Sequence, residues 1–206
     1  GIAGEDGPTH HGALDIAYMR SIQNMIVTAP KNGNELRRLM YTALSVKDQP
    51  FSIRYPKASS VEFHELDQIE LLPIGSWDVE QKGRDALVLA VGPMTYTSLE
   101  ATKKAVLKKY KIEVVNCRFI KPMDVDYLLK IKDKFSKVIT VEEGTIIGGF
   151  GDGVASWLLE NGFNGNIKKI GLPDNFVEHG SRDQILNMLK LDVNGLASQI
   201  HDFINL

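Results

Sequence analysis

The strongest constraint on this chain is the alternation of apolar runs with helical periodicity that begins at Ala86. Residues 86–91 are aliphatic throughout, which suits a strand buried on both faces. The spacing then predicts a helix over about 95–110, with Leu99, Val106, Leu107 and Tyr110 on one face. Further strands are expected at 112–116, 137–141 and 167–170. Helices are expected near 124–133, 151–160, 183–189 and 193–204. Strands alternating with helices define an α/β class: a three-layer α/β/α unit around a mostly parallel sheet, with right-handed crossovers.

The first third is less complete. It reads as a polar loop over 1–12, a short helix to about residue 19 and a buried strand at 25–28. A helix over 32–45 and a strand at 51–55 follow. In the longer helix Asn32 is placed to cap and Glu35 sits three residues on, as in a capping box. Leu36, Leu39, Met40, Ala43 and Leu44 fall on one face. Two strands and two helices are too few for an independent α/β domain. The expected division is therefore a partial domain at 1–58, a linker with a short strand at 59–82, and a complete domain at 83–206. The opening Gly1-Ile2-Ala3-Gly4, without an initiator Met, reads as a cut inside a longer polypeptide.

With 43% hydrophobic residues a core can form, and 24 basic against 26 acidic residues leave a formal charge of -2. That balance gives no electrostatic reason to expect nucleic acid or a membrane surface as partner. No apolar run approaches the roughly 20 residues of a membrane span. The single cysteine, Cys117, excludes an internal disulfide and fits a reducing compartment.

Three clusters could carry chemistry. Gly4-Glu5-Asp6-Gly7-Pro8-Thr9-His10-His11-Gly12 places two carboxylates and two imidazoles within seven residues. A histidine there could move protons near neutral pH, and Asp6 could accept hydrogen bonds from substrate hydroxyls. A polar turn with the histidines capping a helix start reads equally well. Asp6, His10 and His11 match no standard metal spacing. Arg54-Tyr55-Pro56-Lys57 ends a strand, where cations can meet phosphate or simply be solvated. The Gly-rich loop Glu142–Gly153, between a strand and a helix, could offer backbone N–H groups at the helix start, or serve tight packing. It is not a dinucleotide fingerprint, because the required third glycine is Val154. Cys117, His64, His179 and His201 read as packing or surface residues.

The order of short motifs is more specific than any one of them. Gly-Glu-Asp-Gly-Pro-Thr-His-His-Gly-Ala-Leu-Asp at 4–15 resembles the pyrimidine-binding domain of transketolase-type thiamine-diphosphate enzymes, above all the deoxyxylulose-phosphate synthase family. The runs at 19–25, 54–56, 72–75, 118–124, 141–144, 148–151 and 170–174 resemble the same family in the same order, across essentially the whole chain. The resemblance implies an enzyme that joins pyruvate to D-glyceraldehyde 3-phosphate with loss of carbon dioxide. Thiamine diphosphate and Mg2+ would be its cofactors, and a homodimer in a bacterial cytoplasm its setting. Asp6 then matches the family's substrate-hydroxyl aspartate and His10 its active-site histidine. The family's phosphate-binding Arg after Tyr-Pro is Lys57 here, which keeps the charge without the fork, and Arg54 is the neighbouring substitute.

Other family elements have no counterpart among these residues. The Gly-Asp-Gly metal motif, a further Asn, the glutamate that activates the aminopyrimidine and a second phosphate arginine all belong to segments the 206 residues do not contain. Gly151-Asp152-Gly153 stands in another context. The chain alone is therefore expected to bind neither cofactor nor metal, to be inactive, and to leave the 1–12 loop without the surfaces that frame it. The competing readings are a stand-alone interaction or dimerisation module and a subunit of a split transketolase-type enzyme.

Overall fold

The computed structural model describes residues 1–206 except Glu62, Leu66 and Asp67. Its elements are α1 (Asp15–Ser21), β1 (Ile26–Thr28), α2 (Gly33–Ser45), β2 (Phe51–Ile53), β3 (Asp78–Gln81), β4 (Ala86–Ala90), α3 (Met94–Thr102), β5 (Ile112–Asn116), β6 (Phe119–Lys121), α4 (Val125–Ile131), β7 (Lys137–Thr145), α5 (Phe150–Glu160), β8 (Asn166–Leu172), α6 (Arg182–Met188) and α7 (Val193–Ile204). Among the described residues no helix is long and apolar enough to cross a membrane.

The larger sheet has the order β3-β5-β4-β7-β8. β4 pairs in parallel with β5 and β7, and β7 with β8; β3 closes one edge antiparallel to β5. Side chains alternate across a strand, so each central strand feeds two cores. Leu87 and Leu89 pack with Val115, Val138, Phe150 and Leu158 on one face. Ala86, Val88 and Ala90 pack with Ile139, Leu196, Ile200 and Phe203 on the other. The uninterrupted apolar run of β4 is the direct consequence, and the α/β class with a mostly parallel, mixed sheet holds.

The smaller sheet, β2-β1-β6, draws two strands from the first third and one from beyond residue 118. β6 was not foreseen: only Cys117 and Arg118 separate it from β5, with no Gly or Pro to mark the start of a second strand. It runs antiparallel to β1, so the first third is sewn into the rest of the molecule. A buried polar link spans this junction. Glu35 of α2 accepts hydrogen bonds from Lys31 N–H and Asn116 Nδ2, both at 2.7 Å, and lies 3.5 Å from the Arg118 guanidinium.

Four sequence expectations are corrected. The helix expected over 95–110 stops at Thr102 and resumes as a single 3-10 turn, Ala105–Leu107. Thr102 donates its hydroxyl to Leu99 O, a side-chain bond that competes with continued helix. In α2 the buried residues are Glu35, Leu39 and Thr42, while Met40 and Leu44 are 55% and 82% exposed. Its cap is also not a reciprocal box: Asn32 Oδ1 accepts from Glu35 N–H, but the Glu35 carboxylate reaches back to Lys31 N–H. Finally, β7 continues four residues past Val141, through two glutamates.

Candidate functional site

The 1–12 loop folds on itself before it meets anything else. Gly4–Asp6 is a 3-10 turn, and Gly7, at φ +77°, returns its N–H to Gly4 O. That left-handed conformation favours glycine. The Gly7 carbonyl then accepts from both His10 and His11 N–H. The crown that results exposes Asp6 and His10.

Asp6 meets Lys57, 51 residues away, in an ion pair. The Lys57 ammonium, by hydrogen bond and charge, holds the Asp6 carboxyl below its ordinary value, with a smaller contribution from His10. The His10 ring nitrogen Nδ1 lies 3.0 Å from Thr9 Oγ1. Two of the four candidate residues, Asp6 and Lys57, therefore touch, and His10 shares their loop.

Arg54 is placed elsewhere. Its side chain is mostly buried; Nε donates to Asp15 Oδ2 at 2.8 Å, and Nη2 to the Gly12 and Glu143 carbonyls at 3.1 and 2.5 Å. These groups belong to the end of the loop, the start of α1 and the end of β7. The guanidinium is committed to the protein's own oxygens.

His11, adjacent to His10 in sequence, also faces inward. Its Nδ1 accepts from Ala3 N–H at 2.9 Å, which leaves the proton on Nε2, 3.4 Å from Glu178 O. The loop was expected to lack framing surfaces. It is instead framed from behind: Ile2 N–H donates to Glu143, Gly180 N–H to Gly4 O, and Thr145 N–H to Ala13 O.

The two glutamates of β7 were read as loop residues, and their roles were missed. Glu143 is almost fully buried and accepts two N–H groups of Arg182. Burial pushes its pKa up, but the hydrogen bonds and charge of Arg182, aided by Arg54, outweigh this and lower it. Glu142 accepts from Phe150 and Gly151 N–H at 2.9 and 2.8 Å. Burial dominates there and raises its pKa. The helix-start donors that could have met an external anion are thus taken by a carboxylate of the chain itself. Gly149 in this turn is a steric requirement: a Cβ there would lie 2.2 Å from the backbone oxygen of Thr145. Carboxylates interrupting an apolar strand just before such a turn were the available signal.

A cleft of about 470 Å3 lies between His11–Asp15 and Pro173–Val177, and one of about 340 Å3 between the start of α2 and the start of α3. Asp6, His10, Arg54 and Lys57 line neither. Cys117 is buried, and burial pushes its thiol pKa well up, which fits packing. Among the described residues no group of three metal-ligating side chains converges. Asp152, in Gly151-Asp152-Gly153, is paired with Lys169 and accepts from Gly148 N–H. The residues present do not fit a magnesium–diphosphate site.

Residues 1–61 match the model for "Transketolase, pyrimidine binding domain", and residues 75–196 that for "Transketolase, C-terminal domain". The chain belongs to the transketolase family, as its motifs indicated. Within that family it is similar to the 1-deoxy-D-xylulose-5-phosphate synthase of Aquifex aeolicus (strain VF5), with 38% identity over 202 residues, 98% of this chain and 32% of the relative. The synthase of Bacillus cereus (strain AH820) is 37% identical over 205 residues, 99% of this chain and 32% of the relative. The chain spans about a third of the length of these curated relatives. Among solved structures, a split gene transketolase described as an inactive beta4 tetramer superposes with a TM-score of 0.84 at 26% identity, covering 97% of this chain and 63% of that one.

Proposed function

We propose that the chain supplies the acceptor side of a 1-deoxy-D-xylulose-5-phosphate synthase-type active site, which condenses pyruvate with D-glyceraldehyde 3-phosphate and releases carbon dioxide. The reading rests on one observation above all, the contact between Asp6 and Lys57. An acceptor that carries both a phosphate and a hydroxyl can satisfy both members of that pair at once. Its phosphate takes the ammonium, and its hydroxyl takes the freed carboxylate. His10, on the same crown, is the group that exchanges a proton with the acceptor's oxygen. Lys57, rather than Arg54, is the phosphate contact, because the Arg54 side chain is mostly buried and its Nε and Nη2 donate to Asp15, Gly12 and Glu143, whereas Lys57 is exposed.

Thiamine diphosphate supplies the carbanion chemistry in this class of enzyme. The proposal places its diphosphate and Mg2+ site, and the glutamate that activates its aminopyrimidine, on residues other than these 206. The chain alone is then inactive. The division into a partial pyrimidine domain (1–58), linker (59–82) and C-terminal domain (83–206), a homodimeric assembly and a bacterial cytoplasmic location belong to the same reading.

A split arrangement is the second reading, favoured by the likeness to the split gene transketolase over 97% of this chain. A separate polypeptide would then carry the cofactor site.

The test joins the chain to the part of the Aquifex aeolicus synthase that lies outside the match. In that protein Lys57→Ala should raise the KM for D-glyceraldehyde 3-phosphate about 10-fold or more, as loss of a charge-assisted contact does, and leave the KM for pyruvate within about twofold. Equal effects on both substrates, or none, count against the assignment.

A further inference from the structure

We infer that Arg54 is a positioning residue for the His10 loop, and that the C-terminal region takes part in the site by holding this loop through Arg54 and the end of β7. The link to catalysis rests on the function proposed above; the anchoring does not.

The placement of Arg54 is fixed from below. Its own N–H donates to Thr28 O at 2.8 Å, which extends the β1–β2 pairing by one residue. Its guanidinium therefore leaves the sheet edge at a defined point. From there three groups converge on it: the Asp15 carboxylate, the Gly12 carbonyl and the Glu143 carbonyl. Gly12 closes the loop, Asp15 opens α1, and Glu143 lies near the C-terminal end of β7. A planar fork bonding in several directions can hold three segments in register, which a single ammonium cannot.

The rest of the loop is attached in the same manner. Thr145 N–H donates to Ala13 O at 2.8 Å, directly after the Arg54 contact. At the other end Ile2 N–H donates to the Glu143 carboxylate at 3.2 Å, and Arg182 Nη1 to Ile2 O at 3.3 Å. Gly12 N–H closes the loop onto Gly1 O. Both ends thus rest on β7 and the residues around α6. Between these ends lies the crown with His10 and Asp6, the latter also paired with Lys57, and the two ends set its direction. The C-terminal region contributes no group to the reacting atoms, yet the Glu143 carbonyl and the Thr145 N–H define where the crown points.

The test uses amide hydrogen exchange on the 206-residue chain, comparing Arg54→Ala and Arg54→Lys with the parent. Arg54→Ala should raise exchange across residues 2–13 about 10-fold or more, while the amides of β4 and β5 stay within about twofold. Arg54→Lys, which can meet Asp15 but not both carbonyls, should fall between, and it decides the matter if the alanine variant does not fold. Unchanged loop exchange in a folded variant, or a rise spread equally over β4 and β5, overturns the anchoring. In the joined protein described above, Arg54→Lys should lower kcat about 10-fold with the pyruvate KM within about twofold. A loosened loop with unchanged kcat overturns the positioning role. A joined protein inactive in every form defeats the proposed function alone, since the exchange result still decides whether Arg54 holds the loop.

Discussion

The Glu143 carboxylate and the Arg182 guanidinium form a two-pronged pair beneath the 1–12 loop, and the same carboxylate accepts the N–H of Ile2. Glu143 is 3% exposed. Taking away its partner would strand a charge in the interior. Arg182→Ala should therefore cost about 3 kcal/mol or more in urea unfolding. The sign of the pH dependence follows from the lowered pKa of Glu143. Its stabilisation is complete above the unfolded-state value of about 4.3 and is lost as pH falls through the folded value. Glu143→Gln should flatten the acid limb of the stability curve; an unchanged limb would show that the pair carries no such linkage.

Asp6 and Lys57 make the opposite kind of pair, exposed on both sides. Such a contact adds little stability, so its signature is titration. The Asp6 carboxyl should titrate below the ordinary range in 13C NMR and move up toward about 3.9 in Lys57→Ala. An identical midpoint in both proteins would mean that the pair does not persist in solution.

Glu35 carries a raised pKa, chiefly from burial, despite its bonds to Lys31 N–H and Asn116 and its proximity to Arg118. A carboxyl whose folded pKa lies above its unfolded value stabilises below the unfolded value. That contribution is lost as pH rises through the folded value. Glu35→Gln should remove this loss, so the variant and the parent should diverge in stability across that rise. Parallel pH curves would contradict the assignment.

The face of α2 separates what the sequence could and could not reveal. Period 3.6 located the helix, but it grouped Leu39 with Met40 and Leu44, and only Leu39 is buried. Leu39→Ala should cost about 2–5 kcal/mol, whereas Leu44→Ala should stay within about 0.5 kcal/mol. Comparable costs would mean that the exposed face is covered.

The larger sheet was readable because its central strands are buried on both faces and leave unbroken apolar runs, as in residues 86–91. β6 was not: with Phe119 and Ile120 buried, it follows β5 after two residues and hid inside a motif. The motif order singled out Asp6 and His10 as candidates. The commitment of Arg54 was not visible, because its carbonyl partners lie 42 and 89 residues away and a backbone carbonyl leaves no trace in sequence. Nor was the length of β7: Glu142 and Glu143 look like the start of a loop until their buried donors are known.

The most direct measurement is turnover: D-glyceraldehyde 3-phosphate-dependent release of carbon dioxide from pyruvate, with thiamine diphosphate and Mg2+ present. It is made on the 206-residue chain alone and on the chain joined to the unmatched part of the Aquifex aeolicus synthase. The account predicts no release from the chain alone, release from the joined protein, and its loss by about 100-fold or more in His10→Ala and Asp6→Asn. Release by the chain alone, or a joined protein indifferent to both substitutions, would contradict it.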